Sequence, residues 1–503
     1  MELALLLQMA SDGMADRVAV GPASGGWTVA ELATRTSRAA AFFSAHPCDR
    51  VGLIDVNSEA VPLTLFGAAL AGKPFVPLSY RLADDQLRRL VERTSPAVIV
   101  VGDGIAERIG DVAGITYVTR KELLERSMDP AAVGEDLAAS GDPDAVAVVL
   151  FTSGTTGEPK AAILRHRNLS AYILSTVEFA GAGEDEAALV SVPPYHIAAI
   201  SAVLSSLYGG RRIVYLESFD PEEWVQLARA ERVTHAMVVP TMLSRILDVI
   251  DGDGSDLASL RTISYGGGPM PVAVIERALR LLPRVDFVNA YGLTETSSTI
   301  ALLGPEDHRE ALASDDPAVR ARLGSVGRPL PSVTVSIREA NGDATPPGER
   351  GEIWVRGEQV SGEYLGPAGA PDDGWFHTRD AGRLDEAGFL YVHGRLDDVI
   401  VRGGENLSPG EIESVLLEHP AVAAAAVVGV PDAEWGEMVV AAVVLEPGHD
   451  RVGEDELRAF VRSRLRSTMT PEHIDVRAEL PFNETGKLLR RVLRDELGAM
   501  HAR

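Results

Sequence analysis

The sequence predicts an α/β protein: a large N-terminal domain of α/β subdomains that ends in a β-rich subdomain, followed by a small α+β domain. Three observations predict it. Short β-branched runs alternate with longer Ala/Leu/Arg-rich stretches up to about residue 324. Beyond that point the segments are short, strand-like and broken by Gly and Pro. A self-contained α/β pattern then fills the end of the chain, about a hundred residues and so near the common domain size.

Taken in order, residues 51–55 are the first buried strand, 59–71 the helix after it, and 73–78 a second extended segment. Residues 98–101, 145–151, 213–216, 236–239, 261–264 and 285–289 are further apolar runs short enough to be strands, with helices over 222–231 and 272–282 among them. The β-rich part carries strands at 334–338, 351–355 and 389–392. Helix 409–418, strands 422–430 and 438–445, helix 454–464 and a final segment over 480–491 complete the chain. A hinge at 395–398 divides an N-terminal domain, 1–394, from a C-terminal domain, 399–503, and the β-rich subdomain spans about 324–394.

Composition narrows the partners. The 503 residues are 46% hydrophobic and 24% charged, so a large core can form, which excludes a disordered chain and a small cross-linked scaffold. With 47 Lys and Arg against 73 Asp and Glu, the formal net charge is -26. Such a surface repels phosphate backbones and anionic lipid, so no nucleic-acid partner is expected. A polyanionic small substrate therefore needs its own local pocket of backbone N–H groups, cationic side chains or metal. Cys48 is the single cysteine, which leaves no intrachain disulfide and no cysteine metal site. The longest apolar stretch, 421–430, stops at Pro431 and is too short to span a bilayer, and the first residues lack a basic region and a cleavage site. A cytoplasmic protein without a membrane span is expected, and nothing in the sequence opposes a homodimer.

Residues 145–163, AVAVVLFTSGTTGEPKAAI, carry the most chemistry. A buried strand runs into Thr152, Ser153, Gly154, Thr155, Thr156 and Gly157, then Lys160. The glycines let backbone N–H groups turn toward one point, and the hydroxyls and ammonium add donors, as a triphosphate requires. No G-K-[ST] follows at the spacing of a Walker loop. Alone, the same composition also suits an ordinary connection between two strands.

This loop resembles the phosphate-loop signature of the adenylate-forming superfamily: acyl-CoA synthetases, nonribosomal peptide adenylation domains and luciferase. Further motifs of that family occur in its order over nearly the whole chain. PPYH at 193–196 resembles the aromatic motif at the acyl pocket, and YGGGP at 265–269 the glycine turn at the adenine. NAYGLTET at 289–296 is similar to the family's YGxTE motif. GWFHTRD at 374–380 and GRLDD at 394–398 are similar to its ribose site and hinge, and RGGEN at 402–406 and NETGK at 483–487 complete the set.

The resemblance implies a role for each matched residue. Glu295 is a Mg²⁺ ligand on ATP, because a carboxylate beside a phosphate nest is repulsive without a hard cation between them. Thr294 donates to the α-phosphate. Tyr291 offers a flat face to adenine, Asn289 or its backbone reads the purine edge, and Ala290, Gly292, Gly266, Gly267 and Gly268 let backbone approach the ligand. Asp380, opening a turn, accepts from ribose hydroxyls as acidic residues do in dinucleotide folds, and Arg395 donates to the ribose or a phosphate oxygen. Without the resemblance these two are equally an ordinary surface ion pair. Lys487 neutralises charge as carboxylate and α-phosphate close. Asp397 is the hinge about which the small domain turns, and Gly404 then faces the pantetheine arm of CoA without a side chain. His196 gates the acyl pocket.

The implied activity is that of an acyl-CoA synthetase: a small-molecule carboxylic acid and ATP give acyl-AMP and pyrophosphate, then CoA gives acyl-CoA and AMP. CoA is preferred as acceptor because the chain ends soon after Lys487 without a carrier domain. The alternatives are an acyl-adenylating enzyme that delivers to a separate carrier protein, and a non-catalytic nucleotide-binding relative. One departure stands out: at 468–471 the chain has Thr-Met-Thr-Pro where many relatives carry aromatic-Lys-x-Pro. Tyr195, His196, Ala199, Val238, Val239, Tyr265 and Gly267 are the acyl-pocket candidates, mostly apolar, which points to a bulky apolar acid.

Overall fold

Arg50–Ile54 and Ala97–Val101 are apolar along almost their whole length and are buried on both faces, as strands of a parallel sheet covered by helices must be. The computed structural model describes every residue except 133–140, 153–158, 251, 253, 367–373, 433, 450, 483–487 and 502–503. Among the described residues these strands belong to a seven-stranded sheet in the order Glu363–Tyr364, Lys160–Arg165, Val146–Thr152, Phe75–Pro77, Arg50–Ile54, Ala97–Val101, Ile115–Thr119.

A second, nine-stranded sheet holds Arg328–Pro329, Ser298–Leu303, Asp286–Leu293, Thr262–Gly266, His235–Val238, Ala187–Val190, Arg212–Tyr215, Val18–Val20 and Trp27–Thr28, neighbours in that order. Period-2 alternation gives it two distinct faces. Leu189, Val214, Val238, Ile263, Tyr265 and Phe287 pack outward into one core with helices Pro221–Ala230, Pro240–Val249 and Val272–Leu281. Pro221–Ala230 starts where its sequence says it should: the Asp220 carboxylate accepts from the N–H groups of Glu222 and Glu223, with Pro221 in the first turn. Val190 and Ile213 face the other way, into the core shared with the first sheet and with helices Leu3–Met14, Val29–Ser44, Ala60–Leu70 and Ile197–Gly209.

The β-rich region is an antiparallel four-stranded sheet, Val333–Arg338, Gly351–Gly357, Phe376–Leu384 and Leu390–Arg395. Its third strand corrects the reading of Asp380 as the opening of a turn. Asp380 lies mid-strand, opposite Arg395, with a register shift following between Ala381 and Gly382. The alternation of Phe376, Thr378 and Asp380 toward the interior is regular, but two of the three inward residues are polar, which hid the period.

The 3₁₀ turn Leu396–Asp398 leads into the last sheet, where Ile400–Arg402, Glu405–Leu407, Val422–Asp432 and Gly436–Leu445 are antiparallel and His473–Arg477 adds in parallel. Two apolar clusters, around Ile400, Leu416 and Val439 and around Val428, Leu480 and Leu493, draw only on residues of this part. Met469, at the departure noted above, is 2% exposed and fills the first of them. Helix Arg490–His501 closes the described chain.

Candidate active site

Strand Asp286–Leu293 runs parallel to Thr262–Gly266, with Gly266 beside Ala290, and antiparallel to Ser298–Leu303. Two glycines make this approach possible. A Cβ on Gly266 would lie 2.2 Å from the Ala290 carbonyl oxygen, and one on Gly292 1.8 Å from that of Ser298. The strand then enters the 3₁₀ turn Thr294–Thr296, and Ser297 and Ser298 follow with φ of 56° and 111°. Non-glycine residues held there cost about 1–3 kcal/mol each. The turn is secured by Thr296, whose Oγ1 accepts from the Leu293 N–H at 3.0 Å and donates to the Ser298 carbonyl at 2.8 Å.

Tyr291, Asp380 and Arg395, far apart in sequence, meet. The Tyr291 hydroxyl donates to Asp380 Oδ2 at 2.6 Å, and Arg395 Nε pairs with Oδ1 at 2.9 Å. Arg395 is further fixed by a 2.9 Å bond to the Thr378 carbonyl, and the Asp380 N–H donates to Thr378 Oγ1 at 3.0 Å. Burial, reinforced by the Asp380 charge, pushes the Tyr291 phenol well above its ordinary pKa, so it remains a donor. A carboxylate oxygen can accept more than one hydrogen bond, which is the chemistry that vicinal sugar hydroxyls require.

The other end of the same segment carries Glu295. Its Oε1 accepts from the Tyr364 hydroxyl at 2.6 Å, and its carbonyl accepts from the N–H groups of Ser361 and Gly362 at 2.9 and 3.2 Å. Among the described residues Oε2 has no partner. Tyr364 sits on the short strand Glu363–Tyr364, opposite Ala162, anchored by Glu363 forking onto Arg165 at 2.9 and 2.7 Å. The Lys160 ammonium lies 5.5 Å from the centre of the Tyr364 ring. Thr152 pairs with Lys160 across the hairpin neck, its hydroxyl donating to the Lys160 carbonyl at 3.4 Å. Tyr364 escaped the sequence reading because a lone Tyr in a short polar stretch carries no periodic signal.

The remaining expected residues fall into place unevenly. Ser153, Gly154, Thr155, Thr156 and Gly157 lie outside the described residues, as does Lys487. Half-buried His196 precedes helix Ile197–Gly209, with its ring 4.8 Å from that of Tyr195. Gly267, at φ +82, turns the chain before Gly268. Asn289 is buried and donates to the Ser325 carbonyl at 3.1 Å, on the Tyr265 face of the sheet. Asp397 pairs with Arg379 at 2.6 Å, and Gly404 shares a two-glycine hairpin turn with Gly403, at φ +83 and +56. Two acyl-pocket candidates are corrected. Val238 and Tyr265 are fully buried in the outer core, where the Tyr265 hydroxyl bonds His308 Nε2 at 2.8 Å. An outward-facing residue of a parallel strand reads the same in sequence as its inward neighbour.

The arrangement suits a nucleotide with its phosphates. An anchored aromatic ring and a carboxylate lie at one end, and at the other lies a carboxylate whose tyrosine partner has Lys160, at the neck of a hairpin, close to its ring. Among the described residues there is no cluster of three His, Cys, Asp or Glu.

Comparison with known proteins agrees with this geometry. The family model described as "AMP-binding enzyme" matches residues 7–365, and that described as "AMP-binding enzyme C-terminal domain" matches 411–487. The chain is 35% identical to feruloyl-CoA synthase of an Amycolatopsis species over 482 residues, 94% of each. It is 34% identical to 2-succinylbenzoate–CoA ligase of Bacillus licheniformis over 449 residues, 88% of this chain and 89% of the relative. The structure of o-succinylbenzoate CoA synthetase from Bacillus subtilis, in complex with its acyl-adenylate intermediate, superposes with a TM-score of 0.83 at 30% identity, covering 97% of this chain and 98% of the other. With both family models matched and relatives similar over nearly the whole chain, the chain belongs to the AMP-binding enzymes, the adenylate-forming superfamily of acyl-CoA synthetases.

Proposed function

We propose that this acyl-CoA synthetase joins a carboxylic acid to CoA in two steps at one site. A carboxylate oxygen attacks the α-phosphorus of ATP; the new O–P bond gives acyl-AMP, and the broken bond to the β-phosphate releases pyrophosphate. The CoA thiol, losing its proton, then attacks the acyl carbonyl, and AMP leaves. The observation that carries the reading is that one segment, 291–295, touches both ends of the site: Tyr291 reaches Asp380, and Glu295 meets Tyr364 beside Lys160.

The roles follow. Tyr291 stacks on adenine while Asp380 and Arg395 take the ribose. Residues 152–157 and Lys160 receive the β- and γ-phosphates, and Thr294 donates to the α-phosphate. Glu295 Oε2 would hold a Mg²⁺ ion, which when bound supplies positive charge to the leaving pyrophosphate. Lys487 neutralises the two anions that must approach each other. His196 gates the acyl pocket. Rotation of 399–503 about Asp397 brings Gly404 to the site for thiolysis. No helix among the described residues is long and apolar enough to cross a membrane, and we place the enzyme in the cytoplasm, where a homodimer is compatible with the sequence.

Product analysis tests the proposal. With acid, ATP, Mg²⁺ and CoA, the products should be pyrophosphate, AMP and a thioester. Formation of ADP and acyl phosphate would overturn it, and pyrophosphate without a CoA thioester would move the acceptor to a carrier protein.

A further inference from the structure

Helix Pro221–Ala230 ends in a way its sequence does not favour. Arg232 follows it at φ 50°, with its N–H on the Arg229 carbonyl at 3.2 Å and the Val233 N–H on that of Ala228 at 2.9 Å. Glycine fills that left-handed position after a helix without strain, and a residue with a side chain does not. The strained backbone carries an exposed guanidinium that has no hydrogen-bond or carboxylate partner among the described residues. In a chain with 73 acidic residues against 47 basic ones, such a cation is out of keeping with its surroundings.

Arg232 lines an open cavity of about 120 Å³, far more than the roughly 10–15 Å³ that one water needs. The cavity lies at the amino ends of three neighbouring parallel strands, Ala187–Val190, His235–Val238 and Thr262–Gly266. Arg261, on the wall with Arg232, donates to Asp185 Oδ2 at 2.8 Å and to Glu186 Oε1 at 3.1 Å. Those two bonds leave further N–H groups of its fork unused among the described residues. Glu186 also accepts from Arg211 at 3.0 Å, so three guanidiniums meet two carboxylates here, the reverse of the balance in the whole chain. The Thr234 carbonyl would repel an anion, but the N–H groups of Arg261 and Thr262 already occupy it at 2.8 and 3.0 Å. Ser259, also on the wall, adds a hydroxyl without a partner among the described residues, on a turn held by buried Leu257 and Leu260.

We propose that this cavity is a second anion site, which takes a small tetrahedral oxyanion, a phosphate group, between Arg232 and Arg261 with Ser259 donating. Guanidiniums suit it because their paired N–H groups match phosphate oxygens. Asp185 competes with the ligand, which displaces its carboxylate from Arg261. The site is separate from the nucleotide site: Arg261 and Gly266 stand at opposite ends of one strand, about 16–17 Å apart at the usual rise.

Equilibrium dialysis tests it on the full chain with the nucleotide site filled by Mg²⁺ and a non-hydrolysable ATP analogue. Labelled orthophosphate is the probe in one arm and labelled AMP in the other, because a free ion and a nucleotide phosphate share this chemistry. Arg232→Gly should weaken the binding by about tenfold or more, the value of charge-assisted hydrogen bonds. The same change relieves the backbone, so the variant should unfold in denaturant no earlier than the wild type. Asp185→Asn, which removes the competing carboxylate, should tighten the binding, and a damaged fold does not produce that opposite change. Tighter binding of orthophosphate assigns the site to the free ion, and tighter binding of AMP to a nucleotide phosphate. Binding of neither probe, or binding that Arg232→Gly leaves unchanged, overturns the proposal.

Discussion

The Tyr364 hydroxyl lies 2.6 Å from Glu295 Oε1, joining strand Glu363–Tyr364 to the turn Thr294–Thr296. Burial first, then the Glu295 charge, raises the Tyr364 pKa, so the phenol donates at any working pH. The bond holds one carboxylate oxygen, and among the described residues the other has no hydrogen-bond partner. Tyr364→Phe should therefore raise KM for ATP by about tenfold, the value of one charge-assisted hydrogen bond, with a smaller change in kcat. Initial rates of pyrophosphate release with ATP varied will show it; an unaltered KM would mean that Glu295 is positioned by its backbone bonds alone.

Asp380 is 6% exposed and serves Tyr291 and Arg395 at once. Asp380→Asn retains shape but removes the charge and leaves Arg395 poorly matched. Breaking such a pair costs about 3 kcal/mol, taken at the low end because the Arg395 side chain is 34% exposed. Denaturant unfolding should show this loss together with a raised KM for ATP. A stability loss with normal ATP binding would confine Asp380 to a packing role.

These two residues also show where sequence reading stops. Asp380 stood out as a candidate only through the resemblance of 374–380 to a ribose motif, and its strand was not legible, since Thr378 and Asp380 occupy inward positions that a pattern reader expects to be apolar. Tyr364 was invisible: its significance arises from pairing with Ala162, some two hundred residues earlier, and only the fold makes that contact. The buried parallel strands were read within a few residues because their apolar runs are local. Which face of each strand turns into the outer core is not local, and that is why Val238 and Tyr265 read as pocket candidates.

His166 offers a pH test. It is buried, and its Nδ1 accepts from the Leu3 N–H at 3.3 Å, which requires a neutral ring. Burial, helped by the nearby N-terminal amine, lowers its pKa from 6.5 to about 4. The unfolded chain thus binds this proton first as pH falls. The stabilisation is complete above about pH 6.5 and is lost progressively toward about pH 4, at up to about 1.4 kcal/mol per pH unit. His166→Gln should flatten the acid limb of the stability curve by that slope, measured by denaturant unfolding from pH 7 to 4.5. An unchanged slope would place the titrating groups elsewhere.

Gly404 permits a cleaner separation than most glycines. At φ +83 it occupies a conformation that costs any L-residue about 1–2 kcal/mol, so Gly404→Ala and Gly404→Leu pay the same backbone penalty. A Cβ there meets nothing within 4 Å, so alanine adds no clash with the protein as it stands. Unfolding of both variants checks that leucine costs the fold no more than alanine, and a difference in thioester formation at equal stability reports what faces the turn later in the cycle. If the turn lines the path of the pantetheine arm, both variants release pyrophosphate at close to the normal rate, Ala still forms thioester, and Leu does not. Should Leu and Ala form thioester equally well, the acceptor reaches the acyl-adenylate by a route that does not pass residue 404.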